Sequence, residues 1–303
     1  MADLRVSIAG VELKNPVITA SGTFGFGREY NALYPVARLG GISCKGTTLQ
    51  ERPGNPPPRI AETPCGILNS VGLQNPGVDA FIRDELPWLK AQGTVVIANL
   101  AGSVISDYCE AAEKLDETDV DLIELNISCP NVRQGGASFG TSCTSAQEIT
   151  AAVRKATKKP LIVKLTPNVT SISDIAAAVE AVGADAVSLI NTLTGMRIDI
   201  RSRRPVLRNN TGGMSGPAVF PVAVRMVWET AKRVKIPVIG MGGISTWEDA
   251  VEMMLAGASA IQVGTAMFAD AFAPVKIIDG LERYLEESQI QSVTQLTGKV
   301  EIW

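Results

Sequence analysis

"LIVKLTPNVTSISDIAAAVEAVGADAVSLIN", residues 161–191, decides the fold. It opens on an apolar run, 161–165, without period-two alternation, the pattern of a strand covered on both faces. Ile172, Ile175, Val179 and Val182 then recur at helical spacing as one apolar stripe. Gly183, in "AVGAD", ends that helix. A second continuous apolar run, 186–191, follows directly. Strand, helix and strand at this spacing read as one βαβ unit.

Working outward in both directions, the same alternation repeats. Further strands are expected at 16–20 (PVITA), 41–45 (GISCK), 95–99 (VVIAN), 121–127 (DLIELNI), 236–240 (IPVIG) and 259–263 (SAIQV). With the two above, that makes eight. Trp247, Ala250, Val251, Met254 and Leu255 form another helical stripe. Ser245 with Glu248, and Ser145 with Glu148 ahead of a helix over 145–157, read as capping boxes. Eight strand–helix alternations point to an α/β fold of the (β/α)8 TIM-barrel type. A doubly wound open sheet fits less well, because no G-x-G-x-x-G follows the first strand. Two connections exceed plain turns: the Pro- and Gly-rich 46–76 and the Arg-rich 193–216. Neither holds a core of its own, so both are expected as loop insertions over the C-terminal mouth. With no second domain and no internal repeat in view, residues 1–303 read as a single domain.

Composition narrows the class. The 303 residues are 46% hydrophobic and 19% charged, which describes a globular chain. A net charge of -3 gives nucleic acid no footing. No apolar run reaches the length of a membrane span, and the first residues lack a signal-peptide core. Five scattered cysteines without a C-x-x-C pair suggest reduced thiols and a cytoplasmic location, and argue against an iron–sulfur cluster held by this chain alone. There is no histidine, so acid–base chemistry falls to Cys, Lys, Tyr or a carboxylate.

In a barrel the chemistry sits at the carboxyl ends of the strands. Those ends carry Ala20-Ser21, Lys45-Gly46, Asn99, Asn126 to Cys129, Lys164, Asn191-Thr192, Gly242-Gly243 and Gly264-Thr265. No metal-ligand cluster or pair of carboxylates stands among them, so zinc, serine-triad and glycosidase chemistries lose their footing. The glycines after the seventh and eighth strands suit a phosphate, since backbone N–H groups can approach its oxygens closely. A phosphate beside many neutral hydrogen-bonding groups suggests a flavin mononucleotide. Lys45 and Lys164 are embedded in apolar runs; spacing does not choose between a Schiff-base lysine and a cation beside a flavin. Asn69, Asn126, Asn131 and Asn191 offer donor and acceptor together, as a ring of alternating C=O and N–H requires. Pro130 biases Cys129 toward an extended backbone, and "RQGGASFG", residues 133–140, reads as a flap hinged at Gly135, Gly136 and Gly140.

The ordered motifs "ASGTFGFG", "KGTT", "NSVGLQNPG", "NISCPN", "VKLTPN", "NT", "GGMSGPA", "GMGGI" and "QVGTAMF" span residues 20–268. Together they resemble the class 1 dihydroorotate dehydrogenases. The resemblance implies an FMN barrel, one FMN per chain, oxidising (S)-dihydroorotate to orotate in pyrimidine biosynthesis. It assigns FMN to Ala20, Ser21, Lys45, Gly46, Asn99, Asn126 and Lys164, with Ile190, Gly216, Gly242, Gly243, Gly264 and Thr265. It assigns the substrate to Lys45, Asn69, Ser70, Val71, Gly72, Leu73, Asn126, Asn131, Asn191 and Thr192. Cys129 takes the position of the base that removes the C5 proton while the C6 hydride passes to flavin N5. Class 2 members have serine there and an N-terminal extension, so class 1 is expected. "ETPCGILNSVGLQNPG", residues 62–77, is most similar to class 1B. Such a chain is expected as a homodimer joined to an iron–sulfur flavoprotein subunit, with FAD and [2Fe–2S], in a heterotetramer that passes electrons to NAD+. The alternatives are a class 1A homodimer using fumarate and a related dihydropyrimidine-reducing flavin barrel.

Overall fold

The computed structural model of the chain describes residues 2–128 and 139–303. Eight parallel strands close into a barrel: β1 (Val17–Thr19), β2 (Gly41–Ser43), β3 (Val95–Leu100), β4 (Leu122–Asn126), β5 (Leu161–Lys164), β6 (Ala186–Leu189), β7 (Val238–Met241) and β8 (Ala260–Val263). Each pairs with its neighbour in chain order, and β8 closes on β1 with Ile261 opposite Val17 and Val263 opposite Thr19. All eight expected strands are present. Most are shorter than expected by one or two residues, and for β6 and β7 the physical reason is plain. Pro237 has no N–H to donate, so β7 starts at Val238. The chain turns out of the barrel after Leu189, leaving Ile190 and Asn191 at the mouth.

Beside a helical segment over 78–91 with a π-helical middle, six long α-helices among the described residues pack outside: α1 (Ile105–Asp116), α2 (Cys143–Ala156), α3 (Ile172–Glu180), α4 (Phe220–Ala231), α5 (Trp247–Leu255) and α6 (Ala273–Glu287). The predicted stripe of α3 is inward, with Ile172, Ile175 and Val179 buried. That of α5 is inward too, through Ala250, Val251 and Met254. Both expected capping boxes are displaced. At α5 the cap is Thr246, whose hydroxyl accepts from the Asp249 N–H while the Asp249 carboxylate accepts from the Thr246 N–H at 3.0 Å. The same carboxylate accepts from the Ser245 N–H at 2.8 Å, so Ser245 sits one residue outside the helix. At α2 the cap is Ser142, whose hydroxyl accepts from the Ser145 N–H. Ser145 therefore stands inside the first turn. Neighbouring hydroxyl residues compete for each cap, and the one at the right backbone bend wins.

The two insertions do not lie over the mouth separately. Ile60–Thr63 and Gly66–Asn69 form a hairpin, and Gly212–Ser215 pairs antiparallel with its second strand, placing Gly213 opposite Asn69. Leu193–Gly195 completes a four-stranded sheet. Leu68 and Leu207 are buried beneath it, so the insertions share a small core that neither holds alone. Among the described residues no helix is long and apolar enough to cross a membrane.

Candidate active site

A cavity of about 230 Å³ opens at the carboxyl end of the barrel, between the strand ends and the insertion sheet. From the residues assigned to a cofactor it gathers Ala20, Ser21, Lys45, Gly46, Asn126, Lys164, Ile190, Gly242, Gly243, Gly264 and Thr265. From those assigned to a substrate it gathers Asn69, Val71, Gly72, Leu73, Asn191 and Thr192, along with Lys45 and Asn126. Three assigned residues stand off the wall. Asn99 is buried behind Gly46, its Oδ1 2.9 Å from where a Cβ on Gly46 would lie. Gly216 stands behind Gly243, offering its carbonyl oxygen 2.8 Å from the corresponding point there. Ser70 is fully buried with its hydroxyl unpartnered. Cys129, Asn131, Gly135 and Gly136 lie outside the described residues. Gly140, the third expected hinge, packs against Ile127, with its missing Cβ 2.5 Å from that carbonyl oxygen.

One end of the cavity is built for close approach. Gly242 and Gly243 have φ of 124° and 81°, a region that L side chains rarely adopt. A Cβ on Gly243 would lie 2.8 Å from the Gly216 oxygen and 2.9 Å from the Phe220 nitrogen, so this turn abuts the start of α4. Exposed backbone N–H groups beside the positive end of a helix of 12 residues suit an anion such as a phosphate. Across from them the Thr265 hydroxyl donates to the Ser215 hydroxyl at 2.7 Å.

The other end is a polar floor that the sequence reading missed. Glu124, in the middle of β4, is fully buried. Its carboxylate accepts from Ser43 Oγ (2.8 Å), Ser188 Oγ (2.7 Å) and Gln262 Nε2 (2.8 Å). These four residues come from β2, β4, β6 and β8, the alternate strands that furnish one interior layer of a barrel. Such layers are ordinarily branched and apolar; this one is hydrogen-bonded throughout. Asn99 Nδ2, from β3, donates to the same carboxylate at 2.6 Å, and Lys164 Nζ, from β5, stands 3.8 Å away. Burial pushes the Glu124 pKa up, but the Lys164 charge and the hydroxyl and amide donors outweigh it, and the net direction is down. Glu124 is therefore ionised at neutral pH. A charged residue inside "DLIEL" was the available signal, because a buried carboxylate demands partners. Gln262 itself lines the cavity and was also missed, as were Ser215, Met214 and Met241.

The asparagines are held in a defined order. Asn126 Nδ2 donates to Asn99 Oδ1 at 3.3 Å, and Asn126 Oδ1 accepts from the Ser128 N–H and hydroxyl at 3.2 and 2.9 Å. Asn191 Nδ2 donates to the Ser128 hydroxyl at 2.8 Å, and Asn191 Oδ1 accepts from the Thr192 N–H at 2.8 Å. Ser128 is thus tied on both sides, one residue ahead of Cys129. None of the four described cysteines lines the cavity. Cys44 is buried among apolar side chains, and burial pushes its thiol well above the ordinary range, which makes it a packing residue.

The family model for dihydroorotate dehydrogenase matches residues 3–285. A dihydroorotate dehydrogenase B (NAD(+)) catalytic subunit from Bacteroides thetaiotaomicron is 57% identical over 303 residues, covering all of both chains. A subunit of the same name from Alkaliphilus oremlandii is 54% identical, with 98% of this chain and 99% of that one aligned. Another, from Geotalea uraniireducens, is 56% identical over 98% of this chain and 97% of its own.

Proposed function

The chain belongs to the dihydroorotate dehydrogenase family, and on that footing we propose how its cavity performs the reaction. The activity is the oxidation of dihydroorotate to orotate in pyrimidine biosynthesis, by a catalytic subunit of the B, NAD-linked type. The observation that carries the reading of the cavity is the meeting of two unlike ends. One is a glycine cradle against a helix N-terminus; the other is a floor of amides around a buried cation.

Both ends fit FMN. Gly242, Gly243, Gly264 and Thr265 would hold its phosphate, with Gly216 supporting the turn from behind. Ala20, Ser21, Lys45, Gly46, Asn126, Lys164 and Ile190 would hold the ring, with Asn99 bracing Gly46 and Asn126. When bound, FMN supplies the hydride acceptor.

The chain's own residues do the rest. Asn69, Asn126, Asn191 and Thr192 would bind the substrate's ring amides, and Lys45 would meet its carboxylate. Val71, Gly72 and Leu73 would shield the substrate edge from water, with Ser70 packed behind them. Cys129 would take the proton from C5 on its sulfur, and loss of the C6 hydride then leaves the C5=C6 double bond of orotate. Support for Cys129 and Asn131 is their place in "NISCPN" after the anchored Ser128. The name of the relatives, dihydroorotate dehydrogenase B (NAD(+)) catalytic subunit, supports a second subunit and NAD+ as acceptor. On the resemblance to class 1B, that subunit would bear FAD and [2Fe–2S], two copies of each chain making a heterotetramer.

Anaerobic bleaching tests this. Protein loaded with FMN should lose its flavin colour with dihydroorotate and keep it with dihydrouracil. Cys129→Ala should retain FMN and slow bleaching by about 10²–10⁴-fold, the usual worth of a general base. Bleaching at the wild-type rate in that variant removes Cys129 from the mechanism.

A further inference from the structure

Glu124 does not line the cavity, yet every amide that borders it on the floor is tied, directly or in series, to this one carboxylate. We infer that Glu124 is a positioning residue: as an obligate acceptor beneath the pocket, it sets the donor and acceptor directions of the amides that meet cofactor and substrate. The inference deepens the reading of this cavity as the FMN and dihydroorotate site and rests on it.

An ionised carboxylate accepts and cannot donate. Asn99 must therefore turn its NH₂ end to Glu124, which leaves its carbonyl end to Asn126. Asn126 can then present only its own NH₂ to Asn99, so its carbonyl faces Ser128. The Ser128 hydroxyl commits its single proton there and must accept from Asn191. Asn191 is left with its carbonyl on the Thr192 N–H. One direction runs from the floor to the pocket wall, and the backbone agrees with it: the Ser128 N–H also donates to the Asn126 side-chain carbonyl, and Asn191 Nδ2 also donates to the Ser128 carbonyl oxygen. The second arm is shorter. Gln262, a residue of the cavity wall, gives its NH₂ to Glu124, and its carbonyl oxygen is buried with no partner among the described residues. A buried acceptor without a partner is costly, so the direction of this amide is set by its one strong contact, to Glu124.

Glutamine at position 124 would break this arrangement while keeping its size. Lys164 favours a carbonyl on the Asn99 side, so the new NH₂ would face Ser188 and Gln262. The Ser188 hydroxyl can rotate to accept; the Gln262 amide must flip, which puts its NH₂ where the buried oxygen now lies, in the wall of the pocket. Exchanging acid and amide restores the pattern. In Glu124→Gln/Gln262→Glu the carboxylate at 262 accepts from the new amide and again puts an acceptor in the pocket wall.

The test is FMN titration of the apoprotein by quenching of flavin fluorescence, with Tm measured alongside. Glu124→Gln should bind FMN about tenfold or more weakly, the effect of one mismatched buried polar contact. The exchanged double variant should recover to within about threefold of wild type and regain Tm. A single variant that binds as wild type overturns the inference. So does a double variant that binds no better than the single one or fails to fold. Wild-type protein that takes up no FMN, or is not bleached by dihydroorotate, refutes the reading of the cavity instead.

Discussion

Replacing Lys164 by methionine removes the cation 3.8 Å from the Glu124 carboxylate while preserving most of the stem that fills its place. Both side chains are almost wholly out of solvent, at 5% and 0% exposure, so the lost attraction is poorly replaced by water. At an effective dielectric of about 20, two unit charges at this distance attract by about 4 kcal/mol. That agrees with the roughly 3–5 kcal/mol cost of stranding one member of a buried pair. With an unfolding entropy of about 2.1 cal/mol/K per residue, about 4 kcal/mol lowers Tm by about 6 °C in a chain of this length. The pH dependence gives the sharper signature. In wild type the Glu124 pKa is lowered from its ordinary 4.5, so its contribution to stability is present above 4.5 and lost as pH falls through the lowered value. In Lys164→Met, burial dominates and the folded pKa rises. The contribution is then complete below 4.5 and lost as pH climbs through the raised value. The Tm gap between the two apoproteins should be small near pH 4.5 and widen to its full size by pH 8. Differential scanning fluorimetry across that range measures it. A gap that is constant with pH, or absent, refutes the account of Glu124 as a buried carboxylate kept ionised by Lys164.

Gly243→Ala places a Cβ at φ 81° against the Gly216 oxygen and the start of α4. Left-handed strain of about 1–2 kcal/mol and the displaced N–H groups should weaken FMN binding by about tenfold to hundredfold. Titration of the apoprotein checks this, and wild-type affinity would remove the cradle from phosphate binding. Thr246→Ala deletes the α5 cap, which does not line the cavity; it should cost about 1 kcal/mol, lowering Tm by about 1–2 °C with unchanged turnover of dihydroorotate.

How much was legible varied with the kind of contact involved. The barrel strands were readable because a strand buried on both faces needs a continuous apolar run, and eight such runs stand in the sequence. Pocket residues such as Lys45, Asn126 and Gly243 were readable because barrel geometry puts strand ends at one mouth. Cap positions slipped by one residue at Thr246 and three at Ser142, where adjacent hydroxyls compete and backbone angles choose. The insertion sheet was hidden because Gly213 and Asn69 are 144 residues apart, and no local pattern announces such a pairing.

By itself the sequence determined the period of the chain, strand then helix eight times, and the family that its short motifs mark. Periodicity is a local property, written wherever a segment must bury one face or two. Only the tertiary structure decided what Glu124 is for. Closing the barrel brings side chains from β2, β3, β5, β6 and β8 onto one carboxylate of β4, and a carboxylate that can only accept dictates how each amide above it must point.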